Sequence, residues 1–177
     1  MTMLQFTKVD CAELDGEPLH YTACGLDNIY LMNGFSRETI DGETFISIED
    51  LDGLWKAIGL HLVTTRKVLV PKEIRYLREH MGLTQAELGA RLRVSDQTIA
   101  RWEKGETKLL HGPGDVMLRV LFLASKSAQP EGNKILKELI KLLDEIVEKD
   151  EKPIPCGVVF SHEKNKWNKS ERCLELV

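Results

Sequence analysis

The sequence predicts an α+β protein: a small N-terminal antiparallel sheet with a helix, then an all-α segment, then a C-terminal helix. Three observations predict it. Between residues 19 and 48, short apolar runs are separated by turn dipeptides. From residue 71 to 127 the spacing becomes helical, in short pieces with capping residues between them. Beyond a breaker cluster at 127–133, apolar residues recur at 4-3-4 spacing. The divisions so drawn are an N-terminal module at 1–66, a helical domain at 67–127, and a helix with a tail at 128–177.

The first fifteen or so residues have no firm period. Leu19, Tyr21 and Ala23 then alternate with polar neighbours, and Gly25-Leu26-Asp27-Asn28 supplies turn chemistry. Ile29 to Met32 is a β-rich run closed by Asn33-Gly34, and Thr44 to Ile48 follows the turn dipeptide Asp41-Gly42. These runs make a sheet of about three strands. Helical spacing from Ser47 to His61 puts Leu51, Leu54, Trp55 and Ile58 on one face, suited to covering the sheet.

In the central segment a helix through Ile74 and Leu77 stops at Met81-Gly82. Thr84-Gln85-Ala86-Glu87 is a Ser/Thr-x-x-Glu capping box, in which hydroxyl and carboxylate each satisfy a backbone N–H left open at a helix start. Gly89 lies between Leu88 and Leu92 and lets a second helix approach closely. Arg93-Val94 makes the turn, Ser95 caps the next helix, and Gly105 ends it. Leu88, Leu92, Val94, Ile99 and Trp102 face inward, while Gln97, Thr98 and Arg101 remain on the outer face. Farther on, Ile135, Leu139, Leu142 and Ile146 form the stripe of an amphipathic helix. A short β-like run from Cys156 to Phe160 and a Lys-rich stretch around Trp167 complete the chain, the latter reading as a loose end that docks locally.

The charge balance narrows the partner. The net charge is −4, yet residues 1–65 carry three basic and eleven acidic side chains, whereas residues 66–126 carry twelve basic and seven acidic. Fields are screened over roughly 8–10 Å, so the local balance decides what a surface attracts. Only the middle third suits a polyanion. Hydrophobic content of 42% and charged content of 29% describe an ordinary globular chain. No apolar run approaches the ~20 residues of a membrane span and no leader opens the chain, so a cytoplasmic protein without membrane association is expected. Cys11, Cys24, Cys156 and Cys173 are scattered and read as thiols in a reducing compartment.

Two short helices joined by a tight turn, the second polar outside, have the geometry that fills a major groove. The run GLTQAELGARLRVSDQTIARWEKGETK resembles the XRE, or lambda-repressor-like, helix-turn-helix family. That resemblance implies a sequence-specific double-stranded DNA-binding regulator, usually a repressor. It implies a phosphate contact at Gln85, which opens the second helix, and base contacts from Ser95, Asp96, Gln97 and Arg101. It also implies that Arg78 pairs with Glu103. The family usually has Gly in the turn, where this chain has Arg93. CGLDNIYLMNGF and the sheet beyond it resemble the N-terminal part of regulators of which some are labelled MqsA-family antitoxins. Those carry paired Cys-x-x-Cys zinc ligands, and this chain has no such pair.

The chemistry of each position is as follows. Arg101 has the fork to address guanine O6 and N7, or to clamp a phosphate; Gln97 has the amide to address adenine. Asp96 either accepts from a cytosine amino group or complements the helix dipole. Thr98, Lys104 and Lys108 join Gln85 as candidate phosphate contacts. Cys11, His20 and Cys24, or Cys156, His162 and Cys173, lack the spacing of a zinc knuckle, so no metal and no cofactor is expected. No nucleophile elbow, phosphate-binding glycine loop or convincing carboxylate pair marks an enzyme, and no catalytic residue is assigned. The partner expected is near-palindromic operator DNA, bound by a homodimer. Its contact is either the Ile135–Ile146 stripe or an edge strand at Ile29 to Met32. The alternative is an antitoxin that sequesters a cognate toxin and autoregulates through the same helices.

Overall fold

The computed structural model describes residues 7–8, 18–65, 68–106, 112–126 and 157–170. The architecture is α+β, with strands β1 (Thr7–Lys8), β2 (Leu19–His20), β3 (Ile29–Leu31), β4 (Phe35–Ile40) and β5 (Glu43–Ile48) preceding the helices. The helices are α1 (Leu51–Thr65), α2 (Pro71–His80), α3 (Gln85–Leu92), α4 (Asp96–Lys104) and α5 (Pro113–Lys126). Strands β6 (Val158–Glu163) and β7 (Lys166–Lys169) follow. The chain divides into two compact units. One comprises 1–57 together with 154–177, and the other is 58–153, inserted between those two segments in sequence.

In the first unit the strands form two sheets rather than the single three-stranded sheet expected. One has the order β1-β5-β4, and the other has the order β2-β3-β6-β7. Strand β4 escapes sequence reading because FSRETI does not alternate apolar with polar, and of the five residues after Phe35 only Arg37 is half-buried. Its turn was legible: Asp41 and Gly42 take φ values of 53° and 80°, the left-handed pair that a two-residue hairpin needs. Ser47 and Ile48, expected in the following helix, belong to β5, and the helix starts at Leu51.

The C-terminal strands change the picture most. β3 pairs parallel with β6, Leu31 lying opposite Phe160, so β3 has neighbours on both sides and is no edge. The edge at Ile29 to Met32 expected as a dimer contact is therefore already occupied within the chain. Trp167 is no loose end either. Its indole is buried, and Nε1 donates to the carbonyls of Glu49 at 2.9 Å and Asp50 at 3.1 Å. A Cβ on Gly34 would stand 2.6 Å from that ring, so only glycine admits it. Sequence separation hid this, since 118 residues divide Trp167 from Glu49. The expected helix through Ile135 and Ile146 lies outside the described residues.

Cys24 and His20 are engaged locally. The Cys24 thiol contacts the carbonyl of Tyr21 at 3.4 Å, and burial pushes its pKa up to about 11. His20 Nε2 lies 2.7 Å from the Asp27 carbonyl and its ring stacks on Tyr30. Among the described residues, no group of three His, Cys, Asp or Glu side chains could hold a metal ion. Also among them, no helix is long and apolar enough to cross a membrane.

In the second unit the elements among the described residues are all helices. Its core gathers Ile58, Leu62 and Val63 of α1 with Ile74 and Leu77 of α2, Leu88 of α3, Ile99 of α4, and Leu118 and Phe122 of α5. Helix α5 meets α1 so closely that a Cβ on Gly59 would fall 2.1 Å from the Phe122 ring. One turn below Phe122, Arg119 is fully buried. Its guanidinium donates to Asp115 Oδ2 at 2.8 Å and to the Val63 carbonyl at 2.8 Å, so it satisfies an acceptor in the last turn of α1. Lys126 ties the other end of α5 to α2 by donating to the His80 carbonyl at 2.7 Å.

Removing one partner of a buried pair leaves the other charge uncompensated, at a cost of about 3–5 kcal/mol. Arg119→Ala should therefore destabilise the helical unit by about that amount, while Arg75→Ala, which breaks a pair exposed to solvent, should cost less than about 1 kcal/mol. Urea unfolding of the two variants checks this; equal midpoints would remove Arg119 from its role.

Candidate nucleic-acid interface

Helix α2 begins at Pro71, which has no N–H to leave unsatisfied there, and the Val70 N–H donates to Glu73 Oε2 at 2.9 Å. After Met81-Gly82, Thr84 caps α3. Its Oγ1 accepts from the Glu87 N–H at 3.2 Å, and Glu87 Oε2 accepts from the Thr84 N–H at 2.8 Å. The expected capping box is thus complete. These hydrogen bonds hold the Glu87 carboxyl below the usual carboxylate range.

The turn between α3 and α4 runs through Arg93 in the left-handed conformation, with φ 58° and ψ 37°. A non-glycine residue there costs of order 1 kcal/mol. The turn keeps the geometry that glycine would give it. The Arg93 N–H points back to the carbonyls of Ala90 and Gly89, and the Val94 N–H donates to the Gly89 carbonyl at 2.9 Å. Gly89 explains how tightly the two helices join. A Cβ there would sit 2.8 Å from the Val94 oxygen and 3.3 Å from the Asp96 nitrogen, both backbone atoms with no freedom to yield.

Ser95 then caps α4, its Oγ accepting from the Thr98 N–H at 3.2 Å and meeting Thr98 Oγ1 at 2.9 Å. Asp96 Oδ1 accepts from the Gln97 N–H at 2.8 Å. The expected contact residues at the start of α4 are therefore together, and Ser95, Asp96 and Thr98 also organise its first turn. Gln97 and Arg101, one turn apart, are exposed with no side-chain partner among the described residues. Lys104 is exposed beside Glu106 at 3.9 Å, a contact that solvent screens. Lys108 lies outside the described residues. Gly105, at φ 73°, closes the helix as expected. Trp102 is half-buried rather than fully inside, as are Leu92 and Val94; Leu88 and Ile99 alone of the expected inward set are completely enclosed.

Glu103 joins all three helices. Its carboxylate accepts from Arg78 Nε at 2.5 Å and from a terminal Arg78 nitrogen at 3.1 Å, the pair that the family resemblance implied. It also accepts from Gln85 Nε2 at 2.8 Å, a contact that sequence reading missed. Arg78 reaches further, donating to the Leu83 carbonyl at 2.8 Å. The hydrogen bond to Glu103 holds the guanidinium above its ordinary pKa. An amide nitrogen carries two hydrogens, so Gln85 retains one donor beyond the one that Glu103 engages.

Helices α3 and α4 with their tight turn, a capped second helix and an exposed polar face define a DNA-binding helix-turn-helix. Residues 74–109 match the family model described as Helix-turn-helix. Over that segment the chain is similar to the helix-turn-helix of the XRE regulator family. Neither a curated protein nor a solved structure matches the chain.

Two outcomes follow from the caps and the turn. Gly89→Ala should destabilise the helical unit by about 1–3 kcal/mol, because the added methyl meets backbone. Thermal unfolding would show it, and an unchanged Tm would mean the turn has room to spare. The Glu87 carboxyl is depressed in the folded state, so its contribution is complete above the unfolded value near 4.3 and fades as pH falls through the folded one. The protection of the Thr84 amide, its exchange taken relative to the intrinsic rate, should accordingly fall on acidification below about pH 4. Glu87→Gln should flatten that dependence.

Proposed function

We propose that the protein is a transcriptional repressor that lays α4 in the major groove of a specific operator. The supporting observation is the exposed pair Gln97 and Arg101, unpartnered among the described residues, on a helix whose Gln97 and Thr98 N–H groups are already satisfied. Arg101 addresses guanine with its fork and Gln97 addresses adenine with its amide, while Ser95 and Asp96 border the same bases. Gln85, Thr98, Lys104 and Lys108 meet phosphates, which set affinity and register without reading sequence. A single module reads few base pairs. The operator is therefore near-palindromic and bound by a homodimer, with half-sites about 34–36 Å apart. Occupied operator excludes polymerase from the promoter.

Arg101→Ala and Gln85→Ala separate the two kinds of contact. Arg101→Ala should weaken binding to the preferred site by ~1–3 kcal/mol and relax preference at one base pair. Gln85→Ala should lower affinity for every duplex while leaving the ranking of sites intact, and should barely move the salt slope because a neutral amide releases no counterion. Competition binding with a pool of single-base variants measures both. Equal weakening by Arg101→Ala on specific and random duplexes would remove its base-reading role.

A further inference from the structure

The turn residue Arg93 remains outside the roles described so far. It occupies a left-handed backbone position, φ 58° and ψ 37°, that glycine adopts without steric cost. A large side chain at such a position must be repaid somewhere. Among the described residues nothing repays it. The residue is exposed, and among the described residues its guanidinium has no ion pair, hydrogen bond or ring contact. Its backbone N–H makes the turn's hydrogen bonds, which any residue would make. Among the described residues the side chain therefore has no task in the free protein.

The position of Arg93 gives the side chain a use. Only Val94 separates it from Ser95, the cap of α4, so the two Cα atoms lie at most about 7.6 Å apart. An arginine there stands next to the end of the helix that enters the groove, where the duplex presents backbone phosphates. Guanidinium is the side chain best matched to phosphate, binding two oxygens through a rigid fork. The nearby acid, Asp96, has one carboxylate oxygen turned onto the Gln97 N–H.

We propose that Arg93 is a DNA phosphate contact, an anchor placed in the turn itself and accepted there at the expense of backbone strain. This rests on α4 meeting DNA as described above, and adds to it a residue that acts on affinity but not on base preference.

Strain and binding move in opposite directions, which makes the test sharp. In the full-length chain, Arg93→Gly should leave Tm unchanged or raised, since glycine suits the turn. With a duplex that the protein itself selects from a random pool, and with an unrelated duplex of equal length, its affinity should fall roughly three- to tenfold at 0.1 M salt. The slope of log affinity against log salt should become shallower by about 0.9, the share of one neutralised phosphate. The ranking of sites should not change, and Arg93→Lys should restore the slope. Unchanged affinity and slope in Arg93→Gly would overturn the proposal, and so would loss restricted to the selected duplex. Arg101→Ala run alongside keeps the two ideas apart. If it weakens binding while Arg93→Gly does not, the phosphate anchor alone is wrong; if neither variant alters binding, the placement of α4 in the groove falls with it.

Discussion

The Glu103 carboxylate is the point on which the DNA-binding unit depends. It takes two hydrogen bonds from Arg78 of α2 and one from Gln85 of α3, and it belongs to the last turn of α4. Little of either charged side chain is exposed, Arg78 at 11% and Glu103 at 5%, so water screens the attraction weakly. A half-satisfied charge in that place would be costly, and the arrangement that satisfies all the donors is a narrow one. That narrowness is what a reading helix requires. Side chains that recognise bases must be held within a fraction of an ångström, and packing plus a second layer of hydrogen bonds does the holding. Gly89 serves the same end by letting the α3–α4 turn close on backbone atoms.

A second buried pair organises the rest of the helical unit. Arg119 and Asp115 are one turn apart on α5, and the guanidinium also reaches the last carbonyls of α1. The last turn of α1 presents carbonyls as acceptors, and α5 supplies a donor to them. Hydrophobic contact at Gly59 and Phe122 brings the helices close enough for this bond. The polar contact selects one arrangement among the many that an apolar interface would tolerate. Together the two pairs tie together five helices that are individually short, the longest having 15 residues, and marginal in isolation.

The β-rich unit follows another principle. Strand β3 is completed by β6 from the far end of the chain, and Trp167 closes over Gly34 with its indole N–H on the carbonyls that lead into α1. Both ends of the inserted helical unit therefore continue into one folded unit. A pairing of such long sequence separation carries a loop-closure entropy that a compact intervening unit reduces.

Local chemistry in the sequence determined the helix-turn-helix almost completely. Thr84 and Glu87, Ser95, Gly89 and Gly105 each act on atoms within a few residues, so their pattern carries the structure with it, whereas arginine in place of glycine pointed to a remodelled turn and Arg93 in fact keeps the left-handed geometry. The hairpin at Asp41-Gly42 was equally local. What only the tertiary structure decided is non-local. The strand FSRETI has no apolar alternation because it lies mostly exposed, so its pairing with β5 has no period to announce it. Arg119 reads in sequence as one more surface cation, and its burial depends on carbonyls 56 and 57 residues away. Trp167 sits in a Lys-rich stretch whose polarity conceals a core position, because alternate residues of a hairpin face opposite sides and only one side is covered. Hydrogen bonds and packing between distant segments leave no period in a linear chain, and these residues acquire their roles only when folding brings their partners to them.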